Sequence, residues 1–462
     1  MKRREVILKK SAEAPAVLLA QTIVASQVVR DKALAVSGNS SVLRKGKSYW
    51  HMLGPGLTTG ASDDDPSGIA TYSQTGAQFG YQLLWLAPLT FPLMAFVQEM
   101  CARIGLVTGR GLAGNIRVFF NKKVLYVCTM LLFAANTINI GANLGAMAKA
   151  VQLIVPHLSF GLLVIGFAIF SLLLQIFTPY ARYAKYLKWL ALILFSYVAS
   201  AILAKLNWGD ILSHAFVPSL SLSKDQLFII CAILGTTISP YLFFWQTSQE
   251  VEEQILQGKT TLHERRTATA KADVRSMRID VWSGMFLSNL VMFFIIAACG
   301  GILFPNGVTN IETTAQAAEA LRPFAGDATY YLFAIGIIGT GLLAIPVLAG
   351  ATSYAFAESF RWKEGLYRNL GRPSYAFYGI IIISMLVGLA INFLGIDPIK
   401  ALLYSAVANG LVAPIILLLI VRMSSSKHIM GHWVNKKPVT WIGWATTILM
   451  TVAGVAAIIS LF

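Results

Sequence analysis

Asp63-Asp64-Asp65-Pro66-Ser67-Gly68 interrupts an apolar stretch that is otherwise long enough to span a bilayer. Each Asp at a bilayer centre costs about 2.5–3.5 kcal/mol on the insertion scale, so such groups persist mainly where they face a cavity or bind something positive. Pro66 removes a backbone donor, and the small residues beside it loosen the chain. The pattern predicts a helix that unwinds and turns bare carbonyls toward a cation.

A second interruption follows 174 residues later, in Leu234-Gly235-Thr236-Thr237-Ile238-Ser239-Pro240-Tyr241. Alone, Pro240 reads as a helix kink. Paired with the acidic break, it marks two interrupted helices at corresponding places in two five-helix halves, the pointer to an inverted repeat with a midplane site.

Composition agrees with a membrane location. Apolar residues fill 56% of 462 positions and charged residues only 13%, and the mean hydropathy is +0.65, so most of the chain belongs in lipid. The net charge of +16 does not indicate nucleic acid, because Lys and Arg are spread between apolar segments rather than gathered with stacking aromatics. Cys101, Cys128, Cys231 and Cys299 are isolated in apolar segments and form no disulfide framework or C-x-x-C metal site.

Eleven spanning segments are expected, near 52–78, 82–107, 124–155, 159–177, 184–205, 227–255, 281–303, 329–358, 374–394, 398–422 and 438–461. Basic residues collect in alternate linkers: Arg110, Arg117, Lys122 and Lys123 after the second, Arg182, Lys185 and Lys188 after the fourth, and Lys259 to Arg278 after the sixth. Arg361 to Arg372 follow the eighth, and Arg422 to Lys437 the tenth. The positive-inside rule puts the N-terminus in the cytoplasm and, with an odd count, the C-terminus outside. Residues 1–50, with Lys2, Arg3, Arg4, Lys9 and Lys10 before a short Ala/Val run, read as a disordered or amphipathic cytoplasmic extension. The transport body is expected over 51–462, with repeats about 51–205 and 227–422 and an extra helix about 438–461.

From residue 52 onward the chain resembles the natural resistance-associated macrophage protein (NRAMP) divalent-metal transporters. The resemblance rests on Gly54-Pro55-Gly56, Gly76-Ala77-Gln78 with Leu83-Leu84-Trp85, and Gln98-Glu99 with Ala102-Arg103 and Val107-Thr108-Gly109. Leu332-Phe333-Ala334-Ile335-Gly336, and Ile429-Met430-Gly431 with Val434-Asn435, complete it. It implies an all-α fold of two inverted five-helix repeats of the APC/LeuT-like kind plus an extra helix, working by alternating access around broken helices 1 and 6. It also implies a plasma-membrane carrier whose partners are a divalent cation and the bilayer, with no cofactor, nucleic acid or obligate protein partner.

The departures from the family pattern bear on selectivity. The first-helix motif D-P-G-N reads Asp65-Pro66-Ser67-Gly68 here, keeping the Asp ligand and losing the Asn. The helix 6 pattern Ala-x-x-Met-Pro-His reads Thr236, Ser239, Pro240 and Tyr241, so a thioether ligand becomes a hydroxyl. An all-oxygen site suits magnesium, calcium or manganese, and magnesium keeps several waters beside one or two carboxylates. The resemblance therefore implies Asp65, Thr236 and Ser239 as metal ligands, with Asp63, Asp64, Gly68 and Asn409 as further candidates. The branch most alike is that of the NRAMP-related magnesium transporters. The family's proton-handling acids on helix 3 align with Asn139 and Ala142, and its two His residues with Tyr241 and Gln246, none of which titrates near neutrality. Import without proton coupling is expected, since the membrane potential supplies about 4.6 kcal/mol per divalent ion at 100 mV.

Other polar residues read more plainly. Glu99 and Arg103 fit an i,i+4 pair, Lys149 is expected to snorkel, and Glu250, Glu252 and Glu253 are expected at the aqueous edge of helix 6. Two readings compete from other classes. An intramembrane prenyl-transferase-like enzyme with an Asp-rich magnesium site needs a second Asp-rich motif, which helix 6 lacks; an organic-solute symporter would have its substrate carboxylate repelled by three Asp residues. Within the family, a manganese or broad transition-metal carrier is the alternative, because oxygen sites bind manganese and magnesium alike.

Overall fold

The structure, a computed structural model, describes residues 49–460 apart from 51, 179, 204–205, 222, 268, 312–313, 369, 372 and 396–397. The extension expected over 1–50 lies, except for its last two residues, outside the described residues.

The first span is broken. α1 (Pro55–Asp63) and α2 (Pro66–Phe79) are separated by Asp64 and Asp65, whose backbones leave the helical region at φ −85°, ψ 48° and φ −68°, ψ 169°. The sixth span is broken in the same manner, with α10 (Lys224–Thr237) and α11 (Pro240–Leu256) separated by Ile238 and Ser239. In both, a Pro opens the second half at the first helical position, where its missing N–H costs nothing. The residue before that Pro is extended, as the ring's steric demand requires.

The other spans are α3 (Leu86–Thr108), α5 (Lys122–Ile154) and α6 (Phe160–Phe177), with short α4 (Leu112–Phe119) between the first two. The fifth is built from α7 (Tyr180–Leu190), a 3-10 turn and α8 (Phe195–Leu203), followed by α9 (Trp208–Phe216). After α12 (Leu262–Thr267) come α13 (Lys271–Ile302), α14 (Thr314–Phe360), α15 (Tyr375–Ile391), α16 (Pro398–Ser424), α17 (Lys427–Met430) and α18 (Lys437–Ser460). α14 turns at Gly326, whose φ of 84° suits glycine, and its membrane stretch begins there. Among the described residues nine helices are long and apolar enough to cross a membrane. The 17-residue α15 and the α1–α2 pair complete the eleven expected spans.

One expected boundary moves. α13 begins at Lys271 rather than near 281, because nearly three polar turns carrying Arg275 and Arg278 continue the helix beyond its apolar stretch. Hydropathy sees only the part that lipid demands.

Backbone proximity explains how the broken span is held. α13 packs along both α1 and α2. At Gly60 an added Cβ would lie 2.2 Å from the Gly284 carbonyl oxygen, so the two helices touch backbone to backbone there. In the second repeat Gly235 of α10 meets the Ala406 carbonyl of α16 at 2.1 Å by the same measure. Small residues let membrane helices approach this closely. On the perimeter α6 and α18 turn Leu162, Phe170, Phe177, Trp441 and Ile448 outward, a surface suited to lipid.

Candidate functional site

Asp65 caps α2. One carboxylate oxygen accepts from the Gly68 N–H at 2.9 Å and the Ser67 hydroxyl at 2.5 Å. The other accepts from the amides of Asn139 at 2.8 Å and Asn143 at 3.2 Å, one turn apart on α5. An ionised carboxylate only accepts, so both Asn residues must face it with nitrogen. Four donors occupy the group.

Its two neighbours are not occupied in this way. Asp63 ends α1 and accepts from the Ser288 hydroxyl of α13 at 2.7 Å through one oxygen; its second oxygen has no partner. Asp64 is 0% exposed, and neither of its oxygens has a hydrogen-bond partner. None of the ion pairs among the described residues reaches any of the three. The Tyr72 phenol of α2 is fully buried and without a hydrogen bond, and its ring lies against Gly68, where an added Cβ would stand 3.3 Å from Cε2.

The second break stands against the first. A methyl group at Gly68 would lie 3.2 Å from the Asp63 carbonyl oxygen and 3.3 Å from Thr236 Oγ1, so Gly68, Asp63 and Thr236 line one narrow gap. Tyr241 at the start of α11 donates to the Ser62 carbonyl at 2.8 Å and ties the two breaks together. Ser239 turns its hydroxyl back onto the Gly235 and Thr236 carbonyls, both at 2.7 Å. Asn409 of α16 lies beside the same break, next to the Gly410 that meets Gly235, and its buried Oδ1 has no partner. The carbonyl oxygens of Asn139 and Asn143 are likewise buried and unpartnered.

The structure thus gathers Asp63, Asp64, Asp65, Gly68 and Thr236 at the facing breaks, with Ser239 and Asn409 on the second. Sequence reasoning did not single out Asn143, Ser288 or Tyr72. Asn143 carried a signal, since it repeats Asn139 one turn on within an apolar helix. Ser288 carried none, being one hydroxyl in a long apolar run.

Buried acids away from the breaks fasten backbone. Asp280 of α13 accepts from the N–H groups of Gly54, Gly56 and Leu57 at 2.7, 2.7 and 3.0 Å, covering the free donors at the start of α1. Glu99 pairs with Arg103 at 3.7 Å, as its spacing predicts, and more closely with Arg278 at 2.8 Å and the Trp282 indole at 2.9 Å. Glu252 of α11 accepts from the Tyr354 phenol at 2.5 Å and from the N–H groups of Leu366 and Tyr367 at 2.8 and 3.3 Å. Glu358 of α14 accepts from the Gly114 N–H at 2.7 Å and the Ser248 hydroxyl at 3.3 Å. Glu250 and Glu252 are therefore buried rather than at an aqueous edge: the segment after α14 folds over Glu252, while Glu250 packs against α3 at Gly105 and accepts from the Gln246 amide at 2.9 Å. At the other end of the molecule, a cavity of about 450 Å³ opens beside the end of α2, lined by Tyr81, Asn207, Asp210, His214 and Phe304.

Comparison with known proteins gives a consistent set of likenesses. Residues 56–460 match the family profile described as natural resistance-associated macrophage protein-like. The chain is 24% identical over 431 residues to a divalent metal cation transporter MntH of Clostridium acetobutylicum, covering 91% of this chain and 94% of the relative. It is 26% identical over 404 residues to the MntH of Deinococcus radiodurans, covering 86% and 87%. Among solved structures, the Eremococcus coleocola manganese transporter in complex with an aromatic bis-isothiourea compound superposes with a TM-score of 0.68 at 20% identity, over 91% of this chain and 87% of that one. Mhp1, a nucleobase-cation-symport-1 family transporter, superposes with a TM-score of 0.50 at 14% identity, over 88% and 91%.

Proposed function

This chain belongs to the natural resistance-associated macrophage protein-like family, and from that premise we propose that it carries magnesium, and manganese beside it, into the cell by alternating access without proton coupling. It is a multi-pass membrane transporter of divalent metal cations and not an enzyme. The transport body runs over 51–462, with repeats about 51–205 and 227–422 and an extra helix about 438–461. In the plasma membrane its N-terminus is cytoplasmic and its C-terminus outside. The ion and the bilayer are its partners, and it needs no cofactor.

One observation carries this reading. Asp63, Asp64, Thr236, Asn139, Asn143 and Asn409 surround the facing breaks with buried oxygens, and among the described residues no cation pairs with the three adjacent carboxylates. Removing an ion from water without a partner costs several kcal/mol even after relaxation. A hard dication offsets that cost. Asp65, Thr236 and Ser239, with Asp63, Asp64, Gly68 and Asn409, form the proposed site. Its oxygens favour magnesium and manganese over soft metals. Independence from protons is supported by Asn139 and Asn143, which face Asp65 with amides that do not themselves titrate. Manganese as the principal cargo is the second reading, favoured by the likeness to the Eremococcus coleocola manganese transporter.

The test is uptake into proteoliposomes holding a magnesium-sensitive dye, under a potassium-set negative potential, with an internal pH probe. Voltage-driven magnesium entry without acidification is the expected result. Manganese entry without magnesium refutes the selectivity, and acidification that tracks uptake refutes the uncoupled mechanism.

A further inference from the structure

We propose that the cavity beside the end of α2 is a second metal site, separate from the breaks, and that it takes a divalent transition metal of the zinc kind through His214 and Asp210. The two residues stand four positions apart on α9 and so share one face of that helix. Both line the cavity, and none of its described lining residues is Lys or Arg.

The imidazole is already arranged as a metal ligand. His214 Nδ1 lies 2.8 Å from the Asp210 carbonyl oxygen. A carbonyl only accepts, so the neutral ring carries its proton on Nδ1 and keeps its lone pair on Nε2. Metal-bound imidazoles are held in this way, the second ring nitrogen donating to a carbonyl or a carboxylate. Among the described residues the ring's hydrogen bonds are made by Nδ1, to Asp210 and Ser213. The Asp210 side chain accepts from the Asn207 amide at 2.8 Å through Oδ2, which leaves Oδ1 for a cation.

The walls of the cavity hold the pair in place. Trp208 of α9 meets Phe294 of α13 edge-on, with ring centroids 5.9 Å apart. Beyond α9 the Ser219 hydroxyl donates to the Gln82 carbonyl at 3.0 Å. Tyr81 flanks His214, their ring centroids 5.8 Å apart. Its phenol oxygen rests on Gly301, where an added Cβ would stand 2.3 Å away, so the bare glycine lets Tyr81 lie back against α13. Imidazole beside carboxylate suits zinc, copper or nickel, whereas the oxygens at the breaks suit magnesium and manganese. Two protein ligands leave the other positions to water, for which a cavity of about 450 Å³ has room.

The test is calorimetric titration of zinc chloride into the purified full-length protein, free of any histidine tag, with magnesium chloride in excess. The wild type is expected to bind zinc under these conditions and to bind it less tightly on acidification, as protons compete for the imidazole. His214→Ala breaks hydrogen bonds only within its own turn; it is expected to melt like the wild type and to bind one zinc fewer. Asp210→Asn, which can still accept from Asn207, is expected to weaken that zinc by about tenfold or more and reads the ligand set even where His214→Ala is unstable. A full zinc complement at wild-type affinity in either variant overturns the site. Displacement of this zinc by magnesium overturns it as well, because the ion would then lie at the breaks.

Discussion

Gly60→Ala tests how α1 is seated. The new Cβ would stand 2.2 Å from the Gly284 carbonyl oxygen and 2.3 Å from its carbon, both backbone atoms that no rotamer change can move. Ordinary contact begins near 3.4 Å, so the helices must part by roughly 1.2 Å. Overpacking of this kind costs about 1–3 kcal/mol. A displacement of that size also stretches the 2.7 Å bonds from Gly54 and Gly56 to Asp280 beyond hydrogen-bond reach. Bonds to a charged acceptor are worth about 1.5–3 kcal/mol each. The combined expectation is about 4 kcal/mol or more in favour of a displaced α1, nearly a thousandfold change in the equilibrium. The assay is thiol labelling of a Cys placed at Thr58, on a background lacking the native cysteines, together with thermal unfolding in detergent. Gly60→Ala is expected to melt several degrees lower and to label much faster. An unchanged melting temperature and labelling rate would refute the seating of α1 on α13.

Three further outcomes are expected. Asn139→Asp sets a second carboxylate where the amide stood 2.8 Å from Asp65; two such groups share a proton, so uptake that is flat from pH 6 to 8 in the wild type becomes steeply pH-dependent, read by magnesium flux against pH. Ser239→Met places a thioether at the second break, where Ser239 bonds to carbonyls of α10; cadmium should enter in competition assays where the wild type excludes it. Tyr241→Phe deletes the tie to the Ser62 carbonyl and should cost about 1 kcal/mol, measured by chemical or thermal unfolding, with no loss of a metal-dependent shift.

The breaks were legible because their chemistry is local. A Pro biases the residue before it toward the extended region, and with polar residues around them Asp65-Pro66 and Ser239-Pro240 announced both interruptions and their 174-residue offset announced the repeat. Apolar stretches of spanning length gave the span count, and basic residues in alternate linkers gave the expected orientation. The direction each Asp faces was not legible, because consecutive residues at a helix break turn through angles set by ψ values of 48° and 169° that no periodicity encodes. Asn143 and Ser288 acquire meaning only once α5 and α13 are placed beside the break. Glu250 and Glu252 misled for a related reason: hydropathy placed them at a helix end, and the burial comes from residues more than a hundred positions away.

The clamps made by Glu252 and Glu358 have a consequence for how the molecule moves. Glu252 fastens α11 to the segment after α14, and Glu358 fastens α14 to the start of α4 and to Ser248 of α11. Four pieces of chain that are distant in sequence thereby share one set of buried anchors. A rotation of the inner half of the sixth span must carry the end of the eighth with it, as a single lever rather than a hinged arm. Spin labels on those two elements would then hold a fixed separation whatever arrangement the rest of the molecule adopts.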